Sequence, residues 1–120
     1  MNREVINKFI AIPLAIKVFR MDREQVKDFK TAHVYLDKLD AVLVKLQEDF
    51  NTLKKDMYTV HHMDIRYLGK ENDIVKYRAN NEVITFNAEE LKMMTSDIMR
   101  EYLYGAKAGE FPIQDRIWEN

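Results

Sequence analysis

The sequence predicts a predominantly helical α+β fold, with two N-terminal helices, a three-stranded antiparallel β-meander and a C-terminal helix. An apolar stripe with heptad spacing runs from Phe29 to Val60, and it is followed by residues that alternate between apolar and polar. A capped amphipathic segment begins after Asn87. The chain has 120 residues, and chains of this length seldom divide, so we expect a single domain over 1–120.

The first helix is predicted over about 3–20, where apolar residues recur with helical spacing. Pro13 removes a backbone donor and crowds the preceding turn, so this helix is expected to be kinked or to begin near Ile12. Asp22 followed by Gln25 has the spacing of a helix N-cap, which predicts that a new helix starts there.

The second helix, over about 23–60, carries the strongest pattern in the chain. Its apolar positions are separated alternately by three and four residues, and they are Phe29, Ala32, Leu36, Leu39, Leu43, Leu46, Phe50, Leu53, Met57 and Val60. Such spacing is typical of a coiled-coil seam. Asn51 and Thr52 are poor helix formers, so one helix and two helices both remain open.

The seam predicts an interface, either with the chain's own helices or with a second copy. A single helix over 23–60 would be about 57 Å long, well beyond a compact domain of this size. Because symmetric oligomers are common, we expect a homodimer. The expected interface residues are Leu36, Leu39, Leu43, Leu46, Phe50, Leu53 and Trp118.

Strands are predicted over about 64–68, 74–79 and 82–86, where large apolar residues alternate. A two-residue turn at Asn80-Asn81 sets Tyr77 opposite Ile84, because both asparagines tolerate positive φ. The same turn sets Arg78 opposite Val83 and Val75 opposite Phe86.

The position of the first strand depends on the loop over 69–73. An odd number of loop residues would set Tyr67 opposite Val75 and Ile65 opposite Tyr77. All six large apolar side chains of the meander would then share one face.

The last helix is predicted over about 88–104. Asn87 and Glu90 have the spacing of a capping box, and Gly105 is placed to end the helix. The tail over 105–120 contains Trp118 and other large apolar residues, so we expect it to dock on its own domain or on a partner.

The amino-acid composition excludes several kinds of partner and chemistry. There are 19 basic and 20 acidic side chains, so no global field attracts nucleic acid or anionic lipid. The absence of cysteine excludes disulfides, thiol catalysis and thiolate metal sites. The longest apolar run, over 9–16, is far shorter than the roughly 20 residues of a membrane-spanning helix, and we expect a cytoplasmic protein.

His61, His62 and Asp64 are the only close cluster of metal-ligand residue types in the sequence. Imidazole and carboxylate suit zinc, manganese or iron, but three or four ligands are needed. The alternative is a solvated junction between helix and strand, with Asp64 opposite Arg78 as a cross-strand ion pair. No cofactor is expected.

The outer face of the sheet is predicted to place Arg66 opposite Lys76, with Arg78 beside them. Like charges opposed across strands are destabilising, so such a cluster is consistent with an anion-binding site. The face has no predicted aromatic side chain, so it lacks the stacking platform that binders of single-stranded nucleic acid use.

These observations favour a non-catalytic protein interaction or regulatory module that self-associates through its long helix. The alternatives are a nucleic-acid or anion binder at the outer sheet face, and a small metal-dependent enzyme around His61, His62 and Asp64. Met93, Met94 and Met99 fit either an adaptable recognition groove or ordinary core filling.

Overall fold

The computed structural model describes residues 2–29, 33–105 and 107–108. In chain order its elements are α1 (Arg3–Val26), α2 (His33–Thr59), β1 (Ile65–Glu71), β2 (Ile74–Ala79), β3 (Glu82–Asn87) and α3 (Ala88–Tyr104). This order confirms the predicted α+β class with its antiparallel meander. No helix in these parts of the chain combines the length and the apolar character needed to cross a membrane.

Helix α1 is continuous through Pro13. It starts at Arg3, where the side chain of the N-cap residue Asn2 accepts a hydrogen bond from the Val5 amide at 3.3 Å. The expected start near Ile12 is therefore wrong. The proline ring lies on the exposed side of the helix, while Ile12 and other residues on both sides of it are buried. This burial holds the helix together despite the lost backbone hydrogen bond.

The end of α1 lies beyond the predicted position. Asp22 sits within the helix instead of capping a new one, so the predicted helix start at this residue is wrong. Arg23 donates to Asp40 of α2, with Nε 2.5 Å from Oδ1, and Val26 packs against the main core. These tertiary contacts favour helical backbone over the local capping arrangement, and the chain leaves the helix only after Val26.

Helix α2 is one helix, and Asn51 and Thr52 lie inside it without a break. It begins at His33, ten residues later than predicted, because 23–26 belong to α1. Phe29, the first member of the predicted stripe, lies exposed in the connection between the helices, and Ala32 falls outside the described residues.

The stripe of α2 faces α1 and α3. Leu39 and Leu46 are both 0% exposed, and Phe50 packs against Phe9 of α1 in a tilted arrangement with 5.5 Å between ring centroids. The buried members of this main core are Ala11, Ile12, Ala15, Ile16, Phe19, Leu39, Val42, Leu46, Ile98 and Tyr102. The heptad seam is thus filled by helices of the same chain.

The three strands form a sheet in the order β1, β2, β3. The predicted pairing of β2 with β3 is confirmed, with Tyr77 opposite Ile84 and Val75 opposite Phe86. The connecting turn differs from the prediction in one respect, because positive φ is found at Asn80 and not at Asn81.

The predicted pairing of β1 with β2 is wrong. Tyr67 lies opposite Tyr77, and Ile65 lies opposite Ala79. The reason is that β1 and β2 are joined by a two-residue turn at Asn72 and Asp73, with φ values of 51° and 63°.

A bulge at Leu68 also shifts the register of this pair between Tyr67 and Gly69. The six large apolar side chains still share one face, because the true register differs from the predicted one by two residues at the start of β1.

The inner face of the sheet forms a second core against the first half of α1. Its buried members are Ile6, Ile10, Ala79, Ile84 and Phe86. Helix α3 joins the sheet directly through its predicted capping box, in which Asn87 accepts from the Glu90 amide at 2.8 Å and the Glu90 carboxylate accepts from the Asn87 amide at 3.1 Å. The helix begins directly after the last residue of β3 and contributes side chains to both cores.

Candidate binding groove

A surface groove of about 570 Å³ lies between α1, α3 and the hairpin of β1 and β2. Its floor is apolar and half-buried, and it consists mainly of Leu14, Val18, Val75, Leu91 and Met99. Concave surfaces of this size with mostly apolar walls are typical of binding sites. We refer to it below as the α1–α3 groove.

Each helix presents one face to the groove at helical spacing. On α1 these residues are Leu14, Val18 and Met21, which follow one another at intervals of four and three. On α3 they are Leu91, Thr95 and Met99, at intervals of four. The opposite sides of both helices contribute to the main core, so the two helices form stable walls.

The one buried polar side chain of the floor is satisfied within its own helix. The Thr95 hydroxyl donates to the carbonyl oxygen of Leu91 at 2.8 Å. A ligand on this floor therefore meets apolar surface, and the hydroxyl needs no partner from the ligand.

The rim of the groove is basic. Lys17 of α1 and Lys92 of α3 line it from opposite walls, and neither makes an ion pair within the described parts of the chain. Lys70 and Asp73 close the hairpin end, with Nζ 3.9 Å from Oδ1. Three lysines against one aspartate give this rim a positive balance that favours acidic ligands.

A hydrogen bond between α3 and α2 lies on the side of α3 that faces away from the groove, and it helps to position these two helices. Tyr102 donates from its hydroxyl to Oδ2 of Asp49 at 2.5 Å. Burial opposes the charge on Asp49, but the hydrogen bonds from Tyr102 and Lys45 outweigh it, and the pKa of the carboxyl group is lowered. Burial and the neighbouring carboxylate raise the pKa of the Tyr102 hydroxyl well above its ordinary value.

Comparison with known proteins identifies the family. The family model described as "YhjD protein" matches residues 1–107, which is most of the chain. The chain belongs to the YhjD family. Neither the search of curated proteins nor the search of solved structures found a significant match. All residues of the α1–α3 groove lie within the part matched by the YhjD family model.

The predicted metal ligands lie at the junction between α2 and β1. Among the described residues, no three or more histidine and acidic side chains are grouped closely enough to hold a metal ion. Asp64 pairs with Arg66 at 2.9 Å and not with Arg78, because Arg78 stands opposite Arg66 in the observed register. His62 has φ of 52°, and its carbonyl oxygen accepts from the Asn80 side chain at 3.4 Å.

The predicted anion-binding residues share the outer face of the sheet, but their pairing differs from the prediction. Arg66 lies opposite Arg78 and not opposite Lys76, because of the corrected register. Lys76 lies across from Gly69 and Thr85 and forms an ion pair with Glu71 at 3.5 Å. Binding of anions at this face remains a prediction.

The predicted interface residues of α2 lie in or beside the main core. Leu36, Leu39 and Leu46 are buried, and the half-buried members Leu43, Phe50 and Leu53 pack against the same core. A second copy could contact the buried leucines only if the helices of one chain separated. Trp118 falls outside the described residues, and the oligomeric state remains a prediction.

Of the three methionines considered for a recognition groove, only Met99 lines this one. Met93 is exposed, and Met94 packs against both cores. The residues of α1 that form the opposite wall were not predicted as a site, and the predicted helix, ending near residue 20, left Met21 outside it. Their spacing after Leu14 was the available signal.

Proposed function

We propose that this protein is a non-catalytic interaction module that binds an acidic amphipathic helix of a partner protein in the α1–α3 groove. The observation that carries the proposal is the combination of an apolar floor with a lysine-rich rim. An amphipathic helix buries its apolar stripe in such a groove, and glutamates or aspartates beside that stripe meet the lysines.

The dimensions of the groove support a helical ligand. Along α3 the lining extends from Ala88 to Met99, which corresponds to about 17 Å at the helical rise per residue. That length accommodates about three turns of a bound helix. Lys17 and Lys92 stand on opposite walls, so they can contact acidic residues on both sides of the same apolar stripe.

The proposal is tested with a fluorescein-labelled model peptide. It carries leucines at i, i+3, i+4 and i+7 and glutamates at the flanking positions. Titration with the 120-residue chain at low salt should give a saturable rise in anisotropy. A peptide with lysine in place of each glutamate should bind much more weakly, because it meets a rim of the same charge.

A pair of protein variants locates the binding. Lys92→Glu reverses a rim charge and should weaken binding of the acidic peptide by about tenfold, while Lys55→Glu on the exposed surface of α2 is the matched control. Equal effects of the two substitutions, or no binding of the acidic peptide, would contradict the proposal.

Self-association is a second candidate function. The apolar stripe of α2 packs within the chain, so a dimer would have to use other faces of this helix. Val34 and Val44 lie on such faces and are 51% and 58% exposed, which favours a contact there. We propose that a second copy contacts these residues. Sedimentation equilibrium should then give twice the chain mass of 14.3 kDa, and Val44→Asp should lower it to that mass. A wild-type mass of 14.3 kDa at high micromolar concentration would reject the dimer.

A further inference from the structure

We infer that the C-terminal segment over 109–120 is itself an occupant of the α1–α3 groove and competes there with the partner helix. The competition rests on the proposed function, whereas the docking of the segment stands independently. Four large apolar residues of the segment are available for the floor, and they are Phe111, Ile113, Ile117 and Trp118. The segment has three acidic residues and one arginine, so its charge is opposite to that of the groove rim.

The segment is long enough to reach the groove. Helix α3 ends at Tyr104, and the near end of the groove is formed by Met99, less than two helical turns earlier. Twelve residues follow Ala108, and in extended conformation they can span about 40 Å. The far end of the lining, at Ala88, lies only about 26 Å before Gly105 along the helix.

Charge distinguishes the groove from a second cavity that is also within reach. That cavity, of about 210 Å³, lies on the other side of the α1 and α3 pair, and Ile12, Leu53, Ile98 and Tyr102 contribute its apolar surface. Its charged lining includes Asp49, Asp56 and Glu101 against Lys8 and Lys107, which gives it an acidic balance. This cavity lacks the excess of lysines found at the larger groove, so an acidic segment is attracted more strongly to the larger groove.

Trp118 supplies the first test because it is the only tryptophan of the chain. In the 120-residue chain we expect the emission maximum of Trp118 to be blue-shifted and its fluorescence to be protected from acrylamide quenching. Lys92→Glu should shift the emission toward that of a free indole and increase quenching, while Lys55→Glu should leave both unchanged. Restoring the charge pairing with Glu119→Lys in the Lys92→Glu background should recover part of the protection.

A second measurement tests whether the segment lies close to the groove, independently of charge. The chain has no cysteine, so the pair Met21→Cys and Ile117→Cys introduces the only two thiols. Diamide oxidises the two thiols to a disulfide and takes up their two hydrogen atoms. If the segment occupies the groove, this intramolecular disulfide should form readily. The control pair Tyr58→Cys and Ile117→Cys places one thiol on α2 instead and should remain reduced.

The outcomes separate the two proposals. A solvent-exposed Trp118 in the wild type, or equal responses to Lys92→Glu and Lys55→Glu, would overturn the docking of the segment even if the acidic model peptide binds. If the segment fills the groove about nine-tenths of the time, removing its attraction with Asp115→Lys and Glu119→Lys should raise the affinity for the model peptide about tenfold. An unchanged affinity would overturn the competition.

Discussion

Tyr102 of α3 and Asp49 of α2 share a hydrogen bond of 2.5 Å, which joins two helices that are distant in sequence. Asp49 also pairs with Lys45 at 3.2 Å and lies 4.0 Å from Lys107. Because α3 forms one wall of the α1–α3 groove, this contact ties the shape of the groove to the position of α2.

Loss of the tyrosine hydroxyl should destabilise the protein. Tyr102→Phe removes a charge-assisted hydrogen bond and is expected to lower the free energy of unfolding by about 1–3 kcal/mol. Urea denaturation followed by circular dichroism measures the change. The matched control is Tyr58→Phe, at a side chain that is 82% exposed, and a comparable loss there would contradict the assignment.

The same contact predicts a dependence of stability on pH. The pKa of Asp49 is lower in the folded protein than in the unfolded chain, where a value of about 3.9 is expected. Its contribution is therefore present above the unfolded pKa and is lost as the pH falls through the folded pKa.

We expect Asp49→Asn to be less stable than the wild type at neutral pH, with the difference shrinking as the pH is lowered below about 4. Urea denaturation at a series of pH values gives both curves. A constant difference between the two proteins across that range would show that the charge of Asp49 makes no contribution.

Truncation within the heptad stripe should be costly because the stripe is filled by the chain itself. Leu46→Ala leaves a cavity beneath α1 and α3 and should lower the free energy of unfolding by about 2–5 kcal/mol. Glu48→Ala, two residues later on an exposed face of the same helix, should change it by about 0.5 kcal/mol or less. Both values come from denaturant titration, and a small effect at Leu46 would contradict the packing.

The turn between β1 and β2 offers a stabilising substitution. Asp73 has φ of 63°, a region in which glycine has no steric penalty, so Asp73→Gly should raise the free energy of unfolding by about 0.5–1 kcal/mol. Asn81→Gly provides the comparison, because Asn81 is not among the residues with positive φ. Glycine there only raises the entropy of the unfolded chain, so this variant should be less stable than the wild type. Thermal denaturation in which both variants melt lower than the wild type would refute the turn geometry.

Much of the fold could be predicted because local and global signals agree. The Asn87 capping box, the turn at Asn80 and the apolar stripe containing Leu39 each depend on spacing within one segment. The same spacing predicted that Leu39 packs against another helix, but it could not distinguish a neighbouring helix of the same chain from a second copy.

The incorrect predictions concern the end of α1 and the register of β1, where a contact distant in sequence or a strand irregularity determines the local structure. The cap expected at Asp22 competes with the ion pair between Arg23 and Asp40, whose partners are 17 residues apart. The register of β1 depends both on the two-residue turn at Asn72 and Asp73 and on the bulge at Leu68, and only Gly69, with φ of 130°, marks the bulge in the sequence. The α1–α3 groove arises from the relative positions of two helices far apart in sequence, and periodicity alone does not determine them.

The bulge at Leu68 also hinders pairing between the sheet edges of separate molecules. Strand β1 is an edge strand, and its unpaired amides and carbonyls would otherwise offer a regular row for pairing with another chain. The extra residue interrupts that row, and the charged Lys70 follows it on the same strand. Deleting Leu68 should therefore give a straighter edge and a protein more prone to fibril formation than the wild type.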